Sequence, residues 1–186
     1  MSATNRGGSK EVNEAYFTPD WLCSAIIPYI KPWMPQKPRV LEPACGRGSV
    51  SDAAKTLLGA SVDSVDIVDY GYPSTIVGDF LELVPVPAYD LIISNPPYSL
   101  AQDFVEHAMK FRRDDKSVVA MLLRVSFLGS QKRASWLRAN TPSIYVTPRR
   151  PCFVNGRSDS AEYAWFVWRD PTPQVYILNT EGDAYK

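Results

Sequence analysis

The chain has 186 residues, of which 45% are hydrophobic and 22% are charged, the proportions of one globular domain. Its 20 basic and 20 acidic residues give a formal net charge of zero, which excludes a uniformly cationic, histone-like binder. Three cysteines without C-x-x-C spacing and a single histidine argue against a disulfide framework and a Cys/His zinc site. The longest apolar run, residues 118–123, is too short to span a membrane, and the polar start is unlike a signal peptide, so we expect a cytoplasmic protein.

We predict a flexible arm over residues 1–13 and a single domain over residues 14–186. Apolar periodicity and Gly or Pro breakers predict these elements in chain order: helix 21–29, strand 40–42, helix 51–58, strands 62–68, 75–77 and 89–94, helix 99–113, strand 117–123, helix 132–139, and strands 144–146, 163–168 and 175–178. This alternation predicts an α/β fold with a largely parallel sheet. The carboxyl edge of such a sheet should collect the loops at 43–48, 66–72, 79–81 and 95–98.

The zero net charge hides a strong asymmetry along the chain. Residues 1–100 carry a net charge of −4, residues 101–160 carry +6, and residues 161–186 carry −2. No acidic residue occurs between positions 116 and 158, whereas the same stretch contains eight basic ones: Lys116, Arg124, Lys132, Arg133, Arg138, Arg149, Arg150 and Arg157. Such a stretch points to a polyanionic partner, and an ordinary solvated basic face is the alternative.

The loop after the first predicted strand has the composition of a ligand-binding turn. Residues 42–48 read Glu-Pro-Ala-Cys-Gly-Arg-Gly, and the two glycines let the main chain approach a ligand closely. Asp66 ends the next strand, 24 residues after Glu42, where an acid can hold ribose hydroxyls. Asp79-Phe80 follows the third strand in the same way. The loop lacks G-x-G-x-x-G and a Gly-Lys-Ser/Thr ending, so a dinucleotide or ATP fits poorly.

Asn95-Pro96-Pro97-Tyr98 follows a buried apolar strand and is the segment that carries chemistry. Two prolines fix the backbone, so the Asn95 side-chain oxygen and the Pro96 carbonyl can accept the two protons of one exocyclic amino group. An aromatic amine is a poor nucleophile because its lone pair is delocalised, and two acceptors favour a tetrahedral nitrogen that can attack an electrophile. Tyr98 offers a face on which a flat base can stack.

With these motifs, residues 16–168 resemble the class I S-adenosylmethionine-dependent methyltransferases that modify the N6 amino group of adenine, especially in DNA. The resemblance implies a Rossmann-like, doubly wound, mostly parallel seven-stranded sheet with an antiparallel C-terminal strand. Asn95, Pro96, Pro97 and Tyr98 match the family's catalytic tetrapeptide. The implied cofactor is S-adenosyl-L-methionine, bound by the N-terminal Tyr-Phe-Thr-Pro motif, the glycine loop and the strand ends: Tyr16, Thr18, Pro19, Glu42, Ala44, Cys45, Gly46, Gly48, Asp66, Ile67, Asp79, Phe80 and Asn95.

The resemblance also implies a substrate site. Phe153 lies where relatives place a second aromatic residue against a flipped adenine, and a core phenylalanine is the alternative. The candidates for phosphate contacts come from the acid-free stretch: Lys132, Arg133, Arg149 and Arg150. The chain departs from its relatives at Ser49-Val50, where many carry an aromatic residue. It also ends about where a separate target-recognition domain would begin, so loops 126–142 and 149–160 or a partner would select the target sequence.

We therefore expect a DNA adenine-N6 methyltransferase that flips its target base into the pocket of Asn95 and Tyr98, with no metal and no membrane contact. RNA adenine methyltransferases and protein-glutamine methyltransferases share the tetrapeptide and are the alternatives, together with an inactive binding module. Pro151-Cys152 resembles the nucleophile motif of cytosine-C5 methyltransferases but lies far beyond the strand that would present it. We expect His107 to pack or cap, and the sequence leaves the oligomeric state open.

Overall fold

The computed structural model describes residues 16–153, 160–169 and 172–180. The predicted arm and Arg157 of the basic stretch lie outside these residues. The described residues form four α-helices: α1 (Asp20–Ile30), α2 (Ser49–Leu58), α3 (Ala101–Ala108) and α4 (Ala134–Ala139). They also form eight strands: β1 (Arg39–Glu42), β2 (Ser61–Asp66), β3 (Thr75–Val77), β4 (Leu91–Ser94), β5 (Val118–Arg124), β6 (Ser143–Val146), β7 (Tyr163–Trp168) and β8 (Val175–Ile177).

All eight strands belong to one sheet with the order β3-β2-β1-β4-β5-β7-β6-β8. The pairs β3–β2, β2–β1, β1–β4 and β4–β5 are parallel, as expected for strands joined by crossover segments. β7 runs antiparallel to both β5 and β6. The strand order reverses between β1 and β4, and a ligand crevice forms at such a switch point, beyond the carboxyl ends of the strands.

The sheet has eight strands rather than the seven that the resemblance implies, because β8 adds an edge strand. It pairs in parallel with β6, with Tyr145 opposite Tyr176, and the two rings stack 4.6 Å apart. The antiparallel C-terminal strand is confirmed by β7. The ring stack thus lies on the backbone pairing that joins the eighth strand to the sheet.

Helix α3 is shorter than the predicted helix over residues 99–113. A 3-10 turn over Met109–Phe111 follows it, and Arg112 is extended and forms a bridge with Tyr89. The chain must leave the helix there, because this bridge directs it back towards the start of β5. The other predicted elements agree with the structure to within two residues at each end.

The core has two layers, one on each face of the sheet. Along β4, Leu91 and Ile93 pack with α1 and α2, whereas Ile92 packs with α3. β7 is buried along its whole length, and the Trp165 indole N–H donates to the Leu22 carbonyl at 3.1 Å. This bond joins the first turn of α1 to the centre of the sheet and thereby positions the segment that precedes α1.

Candidate active site

A cleft of about 670 Å³ opens beyond the carboxyl ends of β1, β2 and β4, at the switch point of the sheet. Its lining includes eight residues predicted to bind a cofactor: Tyr16, Ala44, Gly46, Asp66, Ile67, Asp79, Phe80 and Asn95. A smaller cavity of about 250 Å³ shares part of this lining and adds three more predicted residues: Thr18, Glu42 and Cys45. Pro19 and Gly48 line neither cavity. The strand-end loops therefore meet at one place, as the order of the elements predicts.

The glycine loop takes its shape from two left-handed residues. Gly46 has a φ of 52° and Gly48 a φ of 85°. A Cβ on Gly48 would lie 2.1 Å from the ring of Tyr72, so the packing of this tyrosine requires a glycine here. The Tyr72 hydroxyl donates to the Asp52 carboxylate at 2.6 Å and accepts from the Lys55 ammonium at 2.9 Å. These two bonds hold the ring against the loop.

Asp66 places a carboxylate in the cleft at the end of β2. Its Oδ2 accepts from the Gly46 N–H at 2.7 Å, and its Oδ1 accepts from the Val68 N–H at 3.0 Å. Each oxygen keeps a further lone pair with which to bind a ligand. Ile67 beside it lines the cleft and is 57% exposed, a high fraction for isoleucine. A ligand with vicinal hydroxyls and a flat apolar ring can use both residues.

Asp79 and Phe80 follow β3 and supply another wall of the cleft. Asp79 Oδ1 accepts from the Leu81 N–H at 2.9 Å and caps a short 3-10 turn. Phe80 is buried and packs against Phe104 at a ring distance of 5.2 Å and against His107 at 4.9 Å. His107 therefore packs, as the sequence predicts. The second core layer fixes the position of this wall.

Glu42 is buried beside the smaller cavity, with 1% of its surface exposed. It accepts a hydrogen bond from the Ser51 hydroxyl, whose oxygen lies 2.7 Å from the hydroxyl oxygen of Ser64. Burial raises the pKa of Glu42 well above its usual range, and the hydrogen bond from Ser51 opposes this shift. Burial also raises the pKa of the Cys45 thiol to about 11. A cationic ligand group in this cavity would favour the charged form of Glu42.

Two tyrosines hold the Asn95 side-chain amide. Its Nδ2 donates to the Tyr16 carbonyl at 2.9 Å, and its Oδ1 accepts from the Tyr98 hydroxyl at 2.9 Å. Asn95 is 9% exposed and lines the cleft together with Pro97, whereas Pro96 is buried. These hydrogen bonds fix the orientation of the amide, with its acceptor oxygen on the Tyr98 side.

Four rings form an aromatic cluster next to the tetrapeptide: Tyr16, Tyr98, Phe153 and Tyr163. Tyr16 stacks on Tyr98 with centroids 5.5 Å apart and planes inclined by 29°, and it meets Phe153 edge-on at 5.6 Å. Tyr163 lies 5.5 Å from Tyr98 and 5.0 Å from Phe153. The Arg124 guanidinium lies over the Tyr98 ring at 5.0 Å, and its Nε donates to the Tyr163 hydroxyl at 3.2 Å. Burial raises the pKa of Tyr98 well above its usual range, so its hydroxyl remains a donor.

The basic residues predicted to contact phosphate follow β5 and β6, at the same edge of the sheet, and line neither cavity. Lys132 is exposed, and the half-buried Arg133 has its guanidinium 4.6 Å over the Phe127 ring. Arg149 is exposed and lies 5.2 Å over the Trp21 ring. These side chains therefore lie at the same edge of the sheet as the cleft but outside both cavities.

Arg150 differs from the other predicted phosphate contacts because it is already paired. Its Nε donates to the Glu162 carboxylate at 2.9 Å. Glu162 lies beyond the acid-free stretch and immediately before β7. The fold therefore brings one acidic residue from outside the acid-free stretch next to Arg150 and neutralises part of its charge.

Five residues that line the cleft were not individually predicted to bind the cofactor, although Phe17 and Pro43 belong to the predicted N-terminal motif and glycine loop: Phe17, Pro43, Tyr70, Leu100 and Phe104. Phe17 meets Tyr70 edge-on at 5.3 Å, and the Arg47 guanidinium lies 4.1 Å over the Phe17 ring. The sequence could have identified Phe17 and Tyr70, because Phe17 belongs to the N-terminal motif and Tyr70 to a loop expected at the cleft. Leu100 and Phe104 show only the apolar pattern of a helix that packs against the sheet.

Within the described residues, no three His, Cys, Asp or Glu side chains are arranged to hold a metal ion. None of the helices described has the length and apolar character that a membrane crossing requires. The three cysteines are free thiols: Cys23 and Cys45 are buried, and Cys152 is exposed.

No protein-family model matches the chain. Over 158 residues it is 27% identical to the type II methyltransferase M.TthHB8I of Thermus thermophilus. The alignment covers 77% of this chain and 36% of the relative, so the chain spans little more than a third of the length of that protein.

Solved structures resemble the chain over most of its length. A protein of Listeria monocytogenes assigned to the class I S-adenosylmethionine-dependent methyltransferases has a TM-score of 0.67 at 14% identity, over 95% of this chain and 69% of that one. The type I restriction-modification system methyltransferase subunit of Streptococcus thermophilus has a TM-score of 0.69 at 15% identity, over 91% of this chain and 48% of that one. At these identities the likeness shows the fold alone. The predicted Rossmann-like class I methyltransferase fold is confirmed, with eight strands in place of seven.

Proposed function

We propose that the chain transfers a methyl group from S-adenosyl-L-methionine to the N6 amino group of adenine in DNA. The observation that carries this proposal is the orientation of the Asn95 amide at the end of β4, beside the switch-point cleft: its Nδ2 donates to the Tyr16 carbonyl, and its Oδ1 accepts from the Tyr98 hydroxyl. The class I fold and the 27% identity to a type II methyltransferase support the same reaction class.

The residues of both cavities fit S-adenosylmethionine. The larger cleft lies at the switch point of the sheet, where α/β folds bind small molecules. Asp66 would accept hydrogen bonds from the ribose hydroxyls, and Ile67 and Phe80 would contact the adenine ring. In the smaller cavity, Glu42 and Thr18 would bind the methionine end, where the ammonium group restores the charge of the buried carboxylate. When bound, the cofactor supplies an electrophilic methyl group on a sulfonium centre.

Asn95 and Pro96 would act on the amino group of the base. Asn95 Oδ1 keeps a lone pair beside the one that Tyr98 occupies, so it can accept one proton while the Pro96 carbonyl accepts the other. These contacts draw the nitrogen towards tetrahedral geometry and free its lone pair for attack. The amide is oriented before the base arrives, so little of the barrier is spent on reorganisation.

DNA as the acceptor is supported by basic residues at the edge of the sheet where the cleft opens. Lys132 and Arg149 are exposed and come from segments that follow β5 and β6, on the same edge as Asn95. Phosphate contacts of this kind fix the position of a duplex without reading its sequence. An adenine within a duplex reaches a recessed amide only when it is rotated out of the base stack.

The acceptor can be identified by incubating the full chain with labelled cofactor and, in separate reactions, unmethylated duplex DNA, structured RNA and a release-factor-like protein. We expect N6-methyladenine among the nucleosides of the digested DNA. Label confined to RNA adenine or to protein glutamine would replace DNA as the substrate. Absence of label from all three would overturn the proposal.

A further inference from the structure

Tyr16 lies where the cofactor cavities meet the aromatic cluster. It lines both cavities, and its carbonyl accepts from the Asn95 amide at 2.9 Å. Its ring stacks on Tyr98 and meets Phe153 edge-on. One side chain thus contacts both aromatic residues that are expected to hold the target base.

Tyr16 lies on Tyr98 as an offset aromatic stack. A centroid distance of 5.5 Å and an inclination of 29° fall within the range of stabilising offset stacks. A flat ring that enters this place on Tyr98 meets the ring of Tyr16. The Asn95 oxygen accepts from the Tyr98 hydroxyl and keeps one further lone pair for the base. The stacking contact that a base needs on Tyr98 is therefore already made inside the protein itself.

No hydrogen bond ties the Tyr16 side chain in place among the described residues. Its ring is held by contacts with Tyr98 and Phe153 and by packing against the first core layer. The hydrogen bond from Asn95 reaches the Tyr16 carbonyl, which does not move when the side chain rotates about χ1. Rotation of one side chain therefore opens Tyr98 without disturbing the orientation of the Asn95 amide.

We propose that the Tyr16 side chain occupies the target-base position on Tyr98 in the empty enzyme and is exchanged for the flipped base. This inference rests on the proposed function, because it assigns the aromatic cluster to the substrate base. The exchange replaces the stack of Tyr16 on Tyr98 by a stack of the base on Tyr98. The stacking free energy that is lost therefore nearly equals the stacking free energy that is gained. Tyr98 stays covered until a ring of comparable stacking strength arrives, and water does not enter beside the Asn95 oxygen.

The exchange can be tested with 2-aminopurine riboside, a fluorescent nucleoside that is quenched when it stacks on an aromatic ring. The full chain is first saturated with S-adenosylhomocysteine, so that the nucleoside does not enter the cofactor cleft. We expect Tyr16→Ala to bind the nucleoside about five-fold more tightly than the parent chain, the size of one lost ring–ring contact. Tyr16→Phe, which keeps the ring, should bind it as weakly as the parent. The gain should vanish in Tyr16→Ala/Tyr98→Ala.

Two results would overturn the exchange. One is equal affinity for the nucleoside in Tyr16→Ala and the parent chain, and the other is a gain in affinity that persists in Tyr16→Ala/Tyr98→Ala. If Tyr16→Ala does not fold, Tyr16→Leu removes the flat ring at similar volume, and the same gain is expected of it. Methyl transfer to DNA separates this inference from the proposed function. A parent chain that methylates DNA while Tyr16→Ala shows no gain refutes the exchange alone. A parent chain without transfer refutes the proposed function, whatever the nucleoside shows.

Discussion

The site has a donor side, which is proposed to hold the methyl donor, and an acceptor side, which is proposed to hold the base that accepts the methyl group. On the donor side, around Asp66 and Glu42, carboxylates line the cavities, and each Asp66 oxygen keeps a lone pair for a ligand. On the acceptor side, around Asn95 and the aromatic cluster, the rings contact one another and the amide is bonded at both ends. Under the proposed function, a small cofactor would find an open space, whereas a target base would replace ring contacts that already exist. Substitutions on the two sides should separate accordingly, with donor-side changes weakening cofactor binding and acceptor-side changes slowing transfer.

The sharpest test of that separation is Asn95→Ala. Methyl transfer should fall by about 10³-fold, because loss of one preorganised hydrogen-bond group aimed at a reacting centre has an effect of this order. The affinity for S-adenosylhomocysteine, measured by calorimetry, should change by about five-fold or less. Asn140→Ala is the matched control, since Asn140 Nδ2 donates to the Trp136 carbonyl at the end of α4, away from the cleft. Equal rates of methyl transfer in Asn95→Ala and Asn140→Ala would show that the Asn95 side chain takes no part in the reaction.

Asp66→Asn should give the reverse pattern. We expect the cofactor affinity to fall about 30-fold, the value of one charge-assisted hydrogen bond, with transfer at saturating cofactor much less affected. Asp69→Asn is the control in the same loop, because Asp69 Oδ1 accepts from the Gly71 N–H at 2.8 Å outside the cleft. Titration calorimetry on both variants measures the difference. Similar cofactor affinities in the two would mean that Asp66 serves only the glycine loop.

Charge reversal at Lys132 and Arg149 should act on neither cofactor binding nor chemistry. The double variant Lys132→Glu/Arg149→Glu should bind duplex DNA about ten-fold more weakly at low salt, with a shallower dependence on salt concentration, because fewer counterions are released. Lys110→Glu, at the end of α3, is the control on the far edge of the sheet. Fluorescence anisotropy at several salt concentrations gives both quantities. An unchanged slope would leave the basic stretch an ordinary solvated surface.

The smallest expected effect is on stability and comes from Glu42. Burial raises its pKa in the folded state above the unfolded value, so its stabilising contribution is full below the unfolded pKa and is lost as pH rises towards the folded pKa. Glu42→Gln removes this dependence. The variant should melt about 4 °C higher than the parent near pH 8 and at the same temperature near pH 4. It should also bind S-adenosylhomocysteine more weakly. A difference in melting temperature between Glu42→Gln and the parent that stays constant from pH 4 to pH 8 would contradict a raised pKa of Glu42 in the folded state.

The parts of the site that could be predicted from sequence are local patterns attached to strand ends. Asn95-Pro96-Pro97-Tyr98, the glycine loop and Asp66 each combine a residue type with a predicted strand, and the topology of parallel strands then brings them together. Most element bounds follow from hydrophobic periodicity, and the alternation of strands and helices predicts a largely parallel sheet. These features need no knowledge of which distant side chains meet.

The features that could not be predicted are contacts between residues far apart in the chain. Asn95 binds the Tyr16 carbonyl across 79 residues, and Arg150 meets Glu162 across 12. Gly48 is required by the ring of Tyr72, which no turn pattern reveals. Each depends on three-dimensional packing, and together they decide how open the acceptor side is and how much of the basic stretch remains unpaired.

The position of β7 has a consequence for synthesis of the protein. It lies between β5 and β6 in the sheet yet follows both in the chain, and all six of its side chains are buried. A nascent chain that has emerged as far as β6 therefore exposes the apolar β5 with one unpaired edge, the kind of edge that aggregates. Until Tyr163 emerges, Tyr98 lacks one of its ring contacts and Arg124 lacks its hydrogen bond to the Tyr163 hydroxyl. The acceptor side is thus assembled late, and a chaperone that shields strand edges has a defined interval in which to act.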